Sequence, residues 1–494
     1  MERSVAIVGG EFIFVLALAV RLSSLLIPAI AGIFGISLAI SLREKGYTVS
    51  VFDRNPYDET GYDPTDDRHH QSASVDHNKI FRASYGTKLH YQRLALESRQ
   101  AWLATDKEED AGLFVACGML RVQPTDQLGA LEKETLINME RDGLRDTQFV
   151  KDDSEDRKRA TDLGWEPKLL DFPIPDDPNS TSFAAVLDSL GGFTRSSKAC
   201  TYFQKVAKGK GVTFYFGHKT GTVDSLEKHR SVTPGLKEVV GLKTKDGAIH
   251  KADTIVIAAG SCSTQLLPDL SYHLESSGGS VVTFKIDKND TKLWDKYSPK
   301  KFPVITWKSA PRSEDGKDTG SVYVFPRTPD GLIKIGYRGI KFTNFQPAPE
   351  GTPFTQDGQW SIPLDRKQST TVPKPAVDSI RRFVSIFLPE FTETSFHSQK
   401  LCWYTDSLDN SFVIDYVPQF ANKSVFVCTG GSGHGAKFAP VLGEHAADIF
   451  HNGDASTSYM RPFWRWRETA PRRNGLEEGP DGSRNMGNHS FADE

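Results

Sequence analysis

Two separated stretches near the amino terminus, Ser4-Val5-Ala6-Ile7-Val8-Gly9 and Ala31-Gly32-Ile33-Phe34-Gly35, decide the fold class of this chain. The first is typical of a short buried strand that runs into a glycine turn, and the second is typical of a glycine loop that opens a helix. A second strand, Thr48-Val49-Ser50-Val51-Phe52, ends at Asp53. Read together, they give GxGxxG between a strand and a helix with an acidic residue at the next strand tip, the signature of a dinucleotide-binding βαβ unit.

The predicted loop has a physical reason for each glycine. Gly9 permits the tight turn, Gly32 lets the backbone approach a pyrophosphate, and Gly35 lets helix and strand pack closely. The helix N-terminus offers unpaired N–H groups and a positive dipole end to the phosphates. We expect Asp53 to accept hydrogen bonds from ribose hydroxyls, with Arg54 beside it; a solvated strand end is the alternative for Asp53. The other residues predicted to bind the cofactor here are Ala31, Ile33 and Phe34.

The loop is interrupted by residues 10–30, which are mostly apolar, and three interpretations are open. A signal anchor or transmembrane helix would be apolar, but this run follows a strand, lacks a preceding positive region, and contains Arg21 and Pro28. A genuine insertion is the second interpretation. The residues favour the third, a translated intron, because Gly10-Glu11-Phe12 can be encoded with the donor consensus GTGAGT. Ile30-Ala31 can contain the acceptor TAG, and excision between these points keeps the reading frame.

Composition limits the class of partner. The chain has 494 residues with 60 basic and 63 acidic side chains, which suggests two or three domains and gives no argument for nucleic acid or an anionic membrane surface. Five cysteines without a CxxC pair fit a reducing compartment and neither a disulfide framework nor a metal site. The final residues, Ser-Phe-Ala-Asp-Glu, are not a peroxisomal tripeptide, so a cytosolic location is the default expectation.

Two motifs in the C-terminal part of the chain carry chemistry, Lys400-Leu401-Cys402-Trp403-Tyr404-Thr405 and Gly433-His434-Gly435-Ala436-Lys437-Phe438, with Phe412-Val413-Ile414-Asp415 between them. In order and separation they resemble the signature of the sarcosine oxidase and amadoriase (fructosyl amino acid oxidase) family of FAD-dependent amine oxidases. The resemblance covers most of the chain outside residues 10–30 and the tail. It implies an α/β (α+β) fold, with a glutathione-reductase-type FAD-binding Rossmann domain interleaved with an antiparallel β-sheet substrate domain.

The resemblance also implies domain boundaries. The FAD-binding domain would comprise residues 1–100, 181–270 and 400–465, and the substrate domain residues 101–180 and 271–399. Within the first, Ala259 and Gly260 end a hydrophobic strand, and their small size would let the dinucleotide approach closely. Residues 466–494 are a polar tail, and because 479–494 lack apolar periodicity we expect that part to be disordered.

The family's flavin contacts transfer to particular residues of this chain. Cys402 would be joined to the flavin ring by a thioether, although a small core residue is the alternative. Lys437 would lie at the pyrimidine end of the flavin, helped by backbone N–H groups at the helix start formed by Gly433, His434 and Gly435.

The segment Ser74–Arg82 matches a family loop that packs against the flavin. By that match Lys79 would contact flavin or a substrate carboxylate, and Asp76 and Asn78 would shape the same loop. A cluster of helix N-cap residues is the alternative for this segment, since Asp and Asn cap helices well.

Three further residues are catalytic candidates by the same resemblance. Lys334 lies on the segment Gly331–Arg338, which matches the strand that carries the oxygen-activating lysine; an outward-facing strand lysine is the alternative. Arg338 falls where bacterial members have a histidine near the substrate, which implies a more anionic substrate. Tyr404 would line the pocket over the flavin, or else pack in the core.

These residues imply an FAD-dependent oxidase of a secondary amine that gives an imine and hydrogen peroxide. The expected substrate is an N-methylated or otherwise N-substituted L-amino acid, in fungal secondary metabolism of the isoquinoline (fumisoquin-like) type. Fructosyl amino acid oxidation and saccharopine or pipecolate oxidation are alternatives. A membrane-anchored flavoprotein dehydrogenase and a non-catalytic relative also remain open. We expect a monomer whose partners are a small amine and dioxygen, without nucleic acid or membrane.

Overall fold

A computed structural model describes most of the chain, namely residues 24–27, 32–54, 72–86, 88–309, 321–350, 358–364, 368–407, 409–467 and 479–491. Two large sheets dominate the described residues, one mostly parallel and one mostly antiparallel. This mixed architecture confirms the predicted fold class.

Ten α-helices lie in the described part of the chain. None of the described helices is both long and apolar enough to cross a membrane. In chain order the helices are α1 (Ile33–Glu44), α2 (Leu89–Glu109), α3 (Ala130–Arg141), α4 (Ser154–Asp162), α5 (Ser196–Gly209), α6 (Ser263–Leu266), α7 (Thr291–Lys296), α8 (Lys374–Phe387), α9 (Ala439–Asn452) and α10 (Arg461–Trp464).

The strands alternate with these helices along the chain. They are β1 (Ser24–Ile27), β2 (Thr48–Asp53), β3 (Lys79–Phe81), β4 (Phe114–Val115), β5 (Met119–Val122), β6 (Gln148–Val150), β7 (Ala185–Asp188), β8 (Gly192–Thr194), β9 (Thr213–Phe216), β10 (Val223–Arg230), β11 (Lys237–Thr244), β12 (Ile249–Lys251), β13 (Thr254–Ile257), β14 (Leu274–Lys285), β15 (Val304–Lys308), β16 (Ser321–Val324), β17 (Leu332–Phe342), β18 (Phe345–Pro347), β19 (Gln359–Ser361), β20 (Ser398–Ser407), β21 (Val413–Tyr416) and β22 (Val425–Thr429).

A six-stranded sheet has the order β21-β22-β13-β1-β2-β9, and all its neighbours are parallel except β21 and β22. Every residue of β13 is buried, as expected of a strand covered on both faces. Helices α1, α2, α5 and α9 pack on one face, and the antiparallel strands β10 and β11 contribute to the core on the other. The sheet therefore brings the ends of β2, β13 and β22 to one edge, beside the start of α1.

The first strand of this sheet differs from the prediction. We expected Ser4–Val8 to fill that place, but those residues lie outside the described part of the chain, as do Gly9 and Ala31. Instead Ser24–Ile27 pairs in parallel with β2 and β13. Both segments are short apolar runs, and the position between β2 and β13 accepts only one strand. The origin of residues 10–30 stays a prediction.

The eight-stranded sheet has the order β20-β14-β17-β16-β15-β5-β7-β6, antiparallel except for the pair β5 and β15. Helix α8 packs beneath it because its apolar side chains recur every three to four residues. Both β7 and β20 pair within this sheet although they fall in ranges that we assigned to the FAD-binding domain. The domain boundaries remain a prediction. The buried apolar residues of α8 are Ala376, Val377, Ile380, Phe383, Val384 and Phe387.

The segment Gly479–Phe491, called the C-terminal segment below, is ordered, and the expectation of a disordered tail is wrong for it. Its backbone exchanges hydrogen bonds with Thr343, from Thr343 N to Arg484 O (2.8 Å) and from Met486 N to Thr343 O (2.8 Å). Met486 is 3% exposed and belongs to the core under the eight-stranded sheet. Arg484 is also buried and pairs with Glu275 at 2.6 Å. One apolar side chain, one ion pair and a few backbone hydrogen bonds hold this polar segment, and they leave no periodic pattern in its sequence.

Candidate active site

A cavity of about 740 Å³ lies between the two sheets. It extends from the start of α1, past β13 and β20, to β17 and the C-terminal segment. Most of the predicted site residues line it, namely Gly32, Ile33, Phe34, Asn78, Lys79, Gly260, Arg338, Cys402, Tyr404, Gly433, His434, Gly435 and Lys437. The other described candidates stand outside the lining: Gly35, Asp53, Arg54, Asp76, Ala259 and Lys334.

One end of the cavity is formed by the glycine loop and its neighbours. Helix α1 starts directly after Gly32, and Ile33 N donates to Ser74 Oγ at 3.2 Å. Gly260 has φ +52°, a backbone conformation that suits glycine and turns the chain sharply after β13. Asp53 is fully buried at the end of β2, so a solvated strand end is ruled out. Its role as a ribose acceptor stays a prediction.

The turn that precedes α9 packs onto the same end. Ser432 and Gly433 have positive φ values of 45° and 68°, so the backbone bends tightly over the cavity. A Cβ at Gly435 would lie 2.3 Å from the ring of Phe34, which shows how closely this turn meets the start of α1. Lys437 is 2% exposed in a short 3-10 helix immediately before α9. Burial holds the pKa of Lys437 well below its usual value, and the charge of the nearby Arg82 lowers it further.

A buried ionic cluster lies beside the middle of the cavity. The Oδ2 atom of Asp76 accepts hydrogen bonds from Lys334 Nζ at 2.6 Å and from Lys79 Nζ at 2.5 Å. Lys334 also donates to the carbonyl of Asn78 at 2.7 Å, and Lys400 donates to that of Val75 at 3.1 Å. The cluster thus places three ammonium groups around one carboxylate.

The pKa values of this cluster follow from burial and charge. Burial alone would raise the pKa of Asp76, but the ammonium groups of Lys334 and Lys79 hold it well below its usual range. Burial lowers the pKa of Lys334 to about 8, although Asp76 opposes the shift. Lys79 shows the opposite result: burial favours its neutral form, but Asp76 and Cys402 raise its pKa above the usual value.

Two alternatives for these residues are excluded. Lys334 is 1% exposed, so it is not an outward-facing strand lysine. The side chains of Asp76 and Asn78 cap no helix among the described residues, because their loop leads into β3 and the N-cap of α2 is Lys88. The loop meets the start of α5 through its backbone instead, since the carbonyl of Asp76 accepts from Ser197 N at 2.9 Å. Lys334 and Asp76 therefore belong to the buried ionic cluster beside the cavity, and their neighbours Asn78 and Lys79 line it.

Cys402 and Tyr404 reach the cavity from β20. Cys402 is 4% exposed and lies opposite Gly279 of β14, whose missing side chain leaves room at the wall. The Sγ atom of Cys402 is 3.5 Å from Lys79 Nζ. The hydroxyl of Tyr404 is buried without a hydrogen-bond partner among the described residues, and burial raises its pKa.

Sequence reasoning missed several charged residues of the wall. Arg121 is the one charged residue in the otherwise apolar strand Met119–Val122, a signal that could have been used. Arg484 carries no comparable signal because it lies in a polar segment. The residues found only from the structure are Arg82, Lys88, Arg121, Glu132, Lys308, Lys341 and Arg484.

The family model described as DAO, FAD dependent oxidoreductase, matches residues 31–449. The chain belongs to this family. It is therefore a flavin-dependent oxidoreductase of CH–NH donors, as the sequence predicts.

Relatives agree with this assignment. The chain is 29% identical to the L-saccharopine oxidase of Schizosaccharomyces pombe over 444 residues, covering 88% of this chain and 92% of the relative. It is 25% identical to the amino acid oxidase imqH of Aspergillus flavus over 475 residues, covering 86% and 92%. A modified fructosyl peptide oxidase from Aspergillus nidulans has the same fold, with a TM-score of 0.73, 23% identity, and coverage of 95% and 98%.

The residues present fit FAD. The start of α1 and the turn before α9 meet at one end of the cavity, where helix N-termini and the glycine backbone suit phosphate groups. Asp53 supplies a buried carboxylate at the adjacent strand end. The cavity then continues to Cys402 and Lys79, where a ring system would meet the ionic cluster.

Proposed function

We propose that this chain is an FAD-dependent oxidase of a secondary amine that carries several carboxylates, an N-substituted amino acid of the saccharopine type. The observation that carries the proposal is the charge of the cavity wall, where nine basic side chains and one acidic side chain, Glu132, occur among the described lining residues. Desolvated cations attract anionic groups strongly. The basic residues are Lys79, Arg82, Lys88, Arg121, Lys308, Arg338, Lys341, Lys437 and Arg484.

The proposal favours one of the alternatives from the sequence over the first expectation. An N-methylated, tyrosine-derived amino acid has one carboxylate, which makes little use of a wall with nine basic residues and one acidic residue. Saccharopine joins two amino acid arms through a secondary amine and carries three carboxylates. The relative at 29% identity is a saccharopine oxidase and the one at 25% is an amino acid oxidase. A role in secondary metabolism, a cytosolic location and a monomeric state stay predictions.

Different residues of the chain would bind the substrate, stabilise the reduced flavin and promote its reaction with dioxygen. When bound, FAD accepts a hydride equivalent from the carbon beside the amine nitrogen and returns the electrons to dioxygen. Arg338, on β17 at the cavity wall, would hold a substrate carboxylate. The backbone N–H groups before α9 would add positive partial charge at the pyrimidine end of the flavin, where Lys437, whose pKa burial lowers, would donate hydrogen bonds. Lys334, buried beside the cavity, would stabilise the negative charge that develops on dioxygen as hydrogen peroxide forms.

The proposal includes a thioether between Cys402 and the flavin. The support is positional, since the buried thiol faces the cavity and lies 3.5 Å from the ammonium group of Lys79. Forming the thioether replaces the S–H bond of the thiol and one C–H bond of the flavin with an S–C bond, and the two electrons and two protons released would pass to dioxygen as hydrogen peroxide.

Substrate profiling with peroxide detection tests the proposed reaction. We expect kcat/KM for L-saccharopine to exceed the values for N-methyl-L-tyrosine, L-pipecolate and fructosyl-glycine. Arg338→Gln should lower kcat/KM for saccharopine about 10-fold to 100-fold, because it removes a charge-assisted hydrogen bond. A higher kcat/KM for the N-methylated amino acid would restore the first expectation and refute the saccharopine-type proposal.

Acid precipitation tests the thioether. Flavin should stay with the wild-type polypeptide and be released from Cys402→Ser. Cys428→Ala is the matched control, because Cys428 is also buried and also lines the cavity, and it should retain the flavin. Release of flavin from the wild-type protein would show that the attachment is not covalent.

A further inference from the structure

The C-terminal segment forms part of the cavity wall. Ser483 and Arg484 line the cavity beside Lys341. Arg484 Nε donates to the carbonyl of Lys341 at 2.9 Å, and its Nη2 donates to Ser277 Oγ at 3.2 Å. The contacts that hold the segment are the same ones that place the Arg484 guanidinium at the cavity. This part of the cavity wall therefore depends on the C-terminal segment.

The basic side chains around Arg484 lie at the cavity, and the acidic side chains lie behind them. Arg484 pairs with Glu275 (Nη1 to Oε1, 2.6 Å), and Lys341 pairs with Asp406 (Nζ to Oδ1, 2.8 Å). Among these four residues, both cations line the cavity and both carboxylates stand outside the lining. With Arg338 on the same wall, three cations face the cavity against two carboxylates behind it. This part of the wall therefore presents net positive charge to a ligand.

The position of the cluster relates it to the reacting end. Asp406 and Tyr404 lie on β20, as does Cys402. A strand rises by about 3.3 Å per residue. Asp406 is four residues after Cys402, so the two lie about 13 Å apart along the strand. A carboxylate bound beside this cluster would be separated from the oxidised carbon by several bonds of the substrate.

We propose that Arg484, delivered by the C-terminal segment, is a specificity-determining residue that binds a substrate carboxylate remote from the oxidised carbon. This inference rests on the proposed function, since it assigns one carboxylate of the amine to a residue. It predicts that the enzyme distinguishes dicarboxylates from monocarboxylates through a part of the chain outside residues 31–449, the range that the family model matches.

Titration of the flavin-loaded protein with glutarate and with acetate, followed by flavin absorbance, tests the inference without turnover. Wild type should bind glutarate more tightly than acetate. The double variant Arg484→Gln/Glu275→Gln removes both partners of the pair, which avoids leaving a buried carboxylate unpaired. It should weaken glutarate binding about 10-fold to 100-fold and change acetate binding less than about threefold.

Two single variants sharpen the test. Glu275→Gln keeps the cation and removes its partner, so glutarate should bind as tightly as in wild type or more tightly; weaker binding would overturn the inference even if the double variant fails to fold. Arg145→Gln is the matched control, because Arg145 also pairs with a buried carboxylate, Asp156, at 2.8 Å but stands outside the cavity lining. Its affinities should match wild type.

Kinetics separate this inference from the proposed function. If the inference holds, the double variant should raise KM for saccharopine and leave kcat within about threefold. Equal affinity of wild type for glutarate and acetate, or equal losses for both ligands in the double variant, would overturn it. Failure of wild type to oxidise saccharopine would refute the proposed function, while the glutarate titration would still decide whether Arg484 binds a carboxylate.

Discussion

At the scale of single residues, one carboxylate organises the buried ionic cluster beside the cavity. Asp76 is fully buried and accepts hydrogen bonds from Lys79 and Lys334, while Lys400 lies near enough to influence its charge. Three ammonium groups surround one carboxylate, so this buried cluster has more basic than acidic side chains. Such a fixed charge is effective wherever negative charge develops during a reaction, because the low-dielectric surroundings screen it weakly.

The first prediction concerns Lys334. Lys334→Met should lower the rate constant for reoxidation of the reduced enzyme by dioxygen about 10²-fold to 10³-fold, as expected for loss of one preorganised donor. The rate constant for reduction by substrate should change little. Stopped-flow absorbance measures both half-reactions. Lys285→Met, a half-exposed lysine on β14, is the control, and equal losses in both half-reactions would contradict the assignment.

A second prediction is the pH dependence of the same step. The pKa of Lys334 is about 8 because burial lowers it, against the opposing charge of Asp76. The protonated form stabilises developing negative charge, and it predominates below this pKa. The reoxidation rate constant should therefore fall as pH rises through about 8 in wild type and be flat in Lys334→Met. A similar fall in the variant would assign the titration to Lys400, whose pKa burial also lowers.

At the scale of elements, the contact between α1 and α9 holds the glycine loop against the turn before α9. A Cβ at Gly443 would lie 2.0 Å from the carbonyl oxygen of Ser37, a backbone atom that cannot move aside. Ser37 Oγ donates to the carbonyl of Ala439 at 2.6 Å and accepts from Gly443 N at 2.8 Å. The two helices therefore touch backbone to backbone at this point.

The third prediction follows from this contact. Gly443→Ala should lower the free energy of unfolding by about 1–3 kcal/mol, as overpacking does, and should weaken FAD retention because it separates the two cofactor-binding turns. Urea unfolding and flavin content measure the two effects. Gly209→Ala, at the end of α5 with open space at its Cβ position, should stay within about 1 kcal/mol of wild type. Equal stability of both variants would contradict the packing argument.

Elements with strong periodicity are the ones that the sequence could predict. The strand predicted at Thr48–Phe52 is β2, the hydrophobic strand before Ala259 contains β13, and the helix predicted after the glycine loop is α1. Each has a continuous or regularly repeated apolar pattern, and tertiary contacts do not override it. The C-terminal segment has no such pattern, since two buried side chains, Met486 and Arg484, and backbone hydrogen bonds hold it.

The site was predictable as a set of residues but not as a set of contacts. Motif resemblance pointed to Asp76, Lys79, Lys334 and Cys402 separately, whereas their grouping depends on strand pairing between distant parts of the chain. Lys334 and Asp76 are 258 residues apart and share a hydrogen bond. The positive charge of Lys341 and Arg484 at the cavity likewise arises where β17 contacts the C-terminal segment. No local sequence pattern predicts that contact.

At the scale of the whole molecule, the cofactor fold contains one central strand position and two segments suited to it. Ser24–Ile27 occupies the position between β2 and β13, while Ser4–Val8 lies outside the described residues. The family model begins its match at residue 31, immediately after residues 10–30. We propose that the predicted FAD-binding domain (1–100, 181–270 and 400–465) is completed by Ser4–Gly9 joined directly to Ala31, with the substrate domain (101–180 and 271–399) beyond the cavity.

The fourth prediction compares the full chain with a variant that lacks residues 10–30. Joining Gly9 to Ala31 restores a strand, GxGxxG and a helix in succession, so the backbone N–H groups of the loop and the start of α1 would meet the pyrophosphate together. The shortened variant should hold more FAD per chain and, because a ligand that binds only the folded state adds stability, unfold at higher temperature. Flavin absorbance after gel filtration and a thermal unfolding curve measure these two quantities. A shortened chain that binds less FAD than the full chain would show that Ser24–Ile27 is the native first strand, since its removal would then leave β2 and β13 without the strand that joins them.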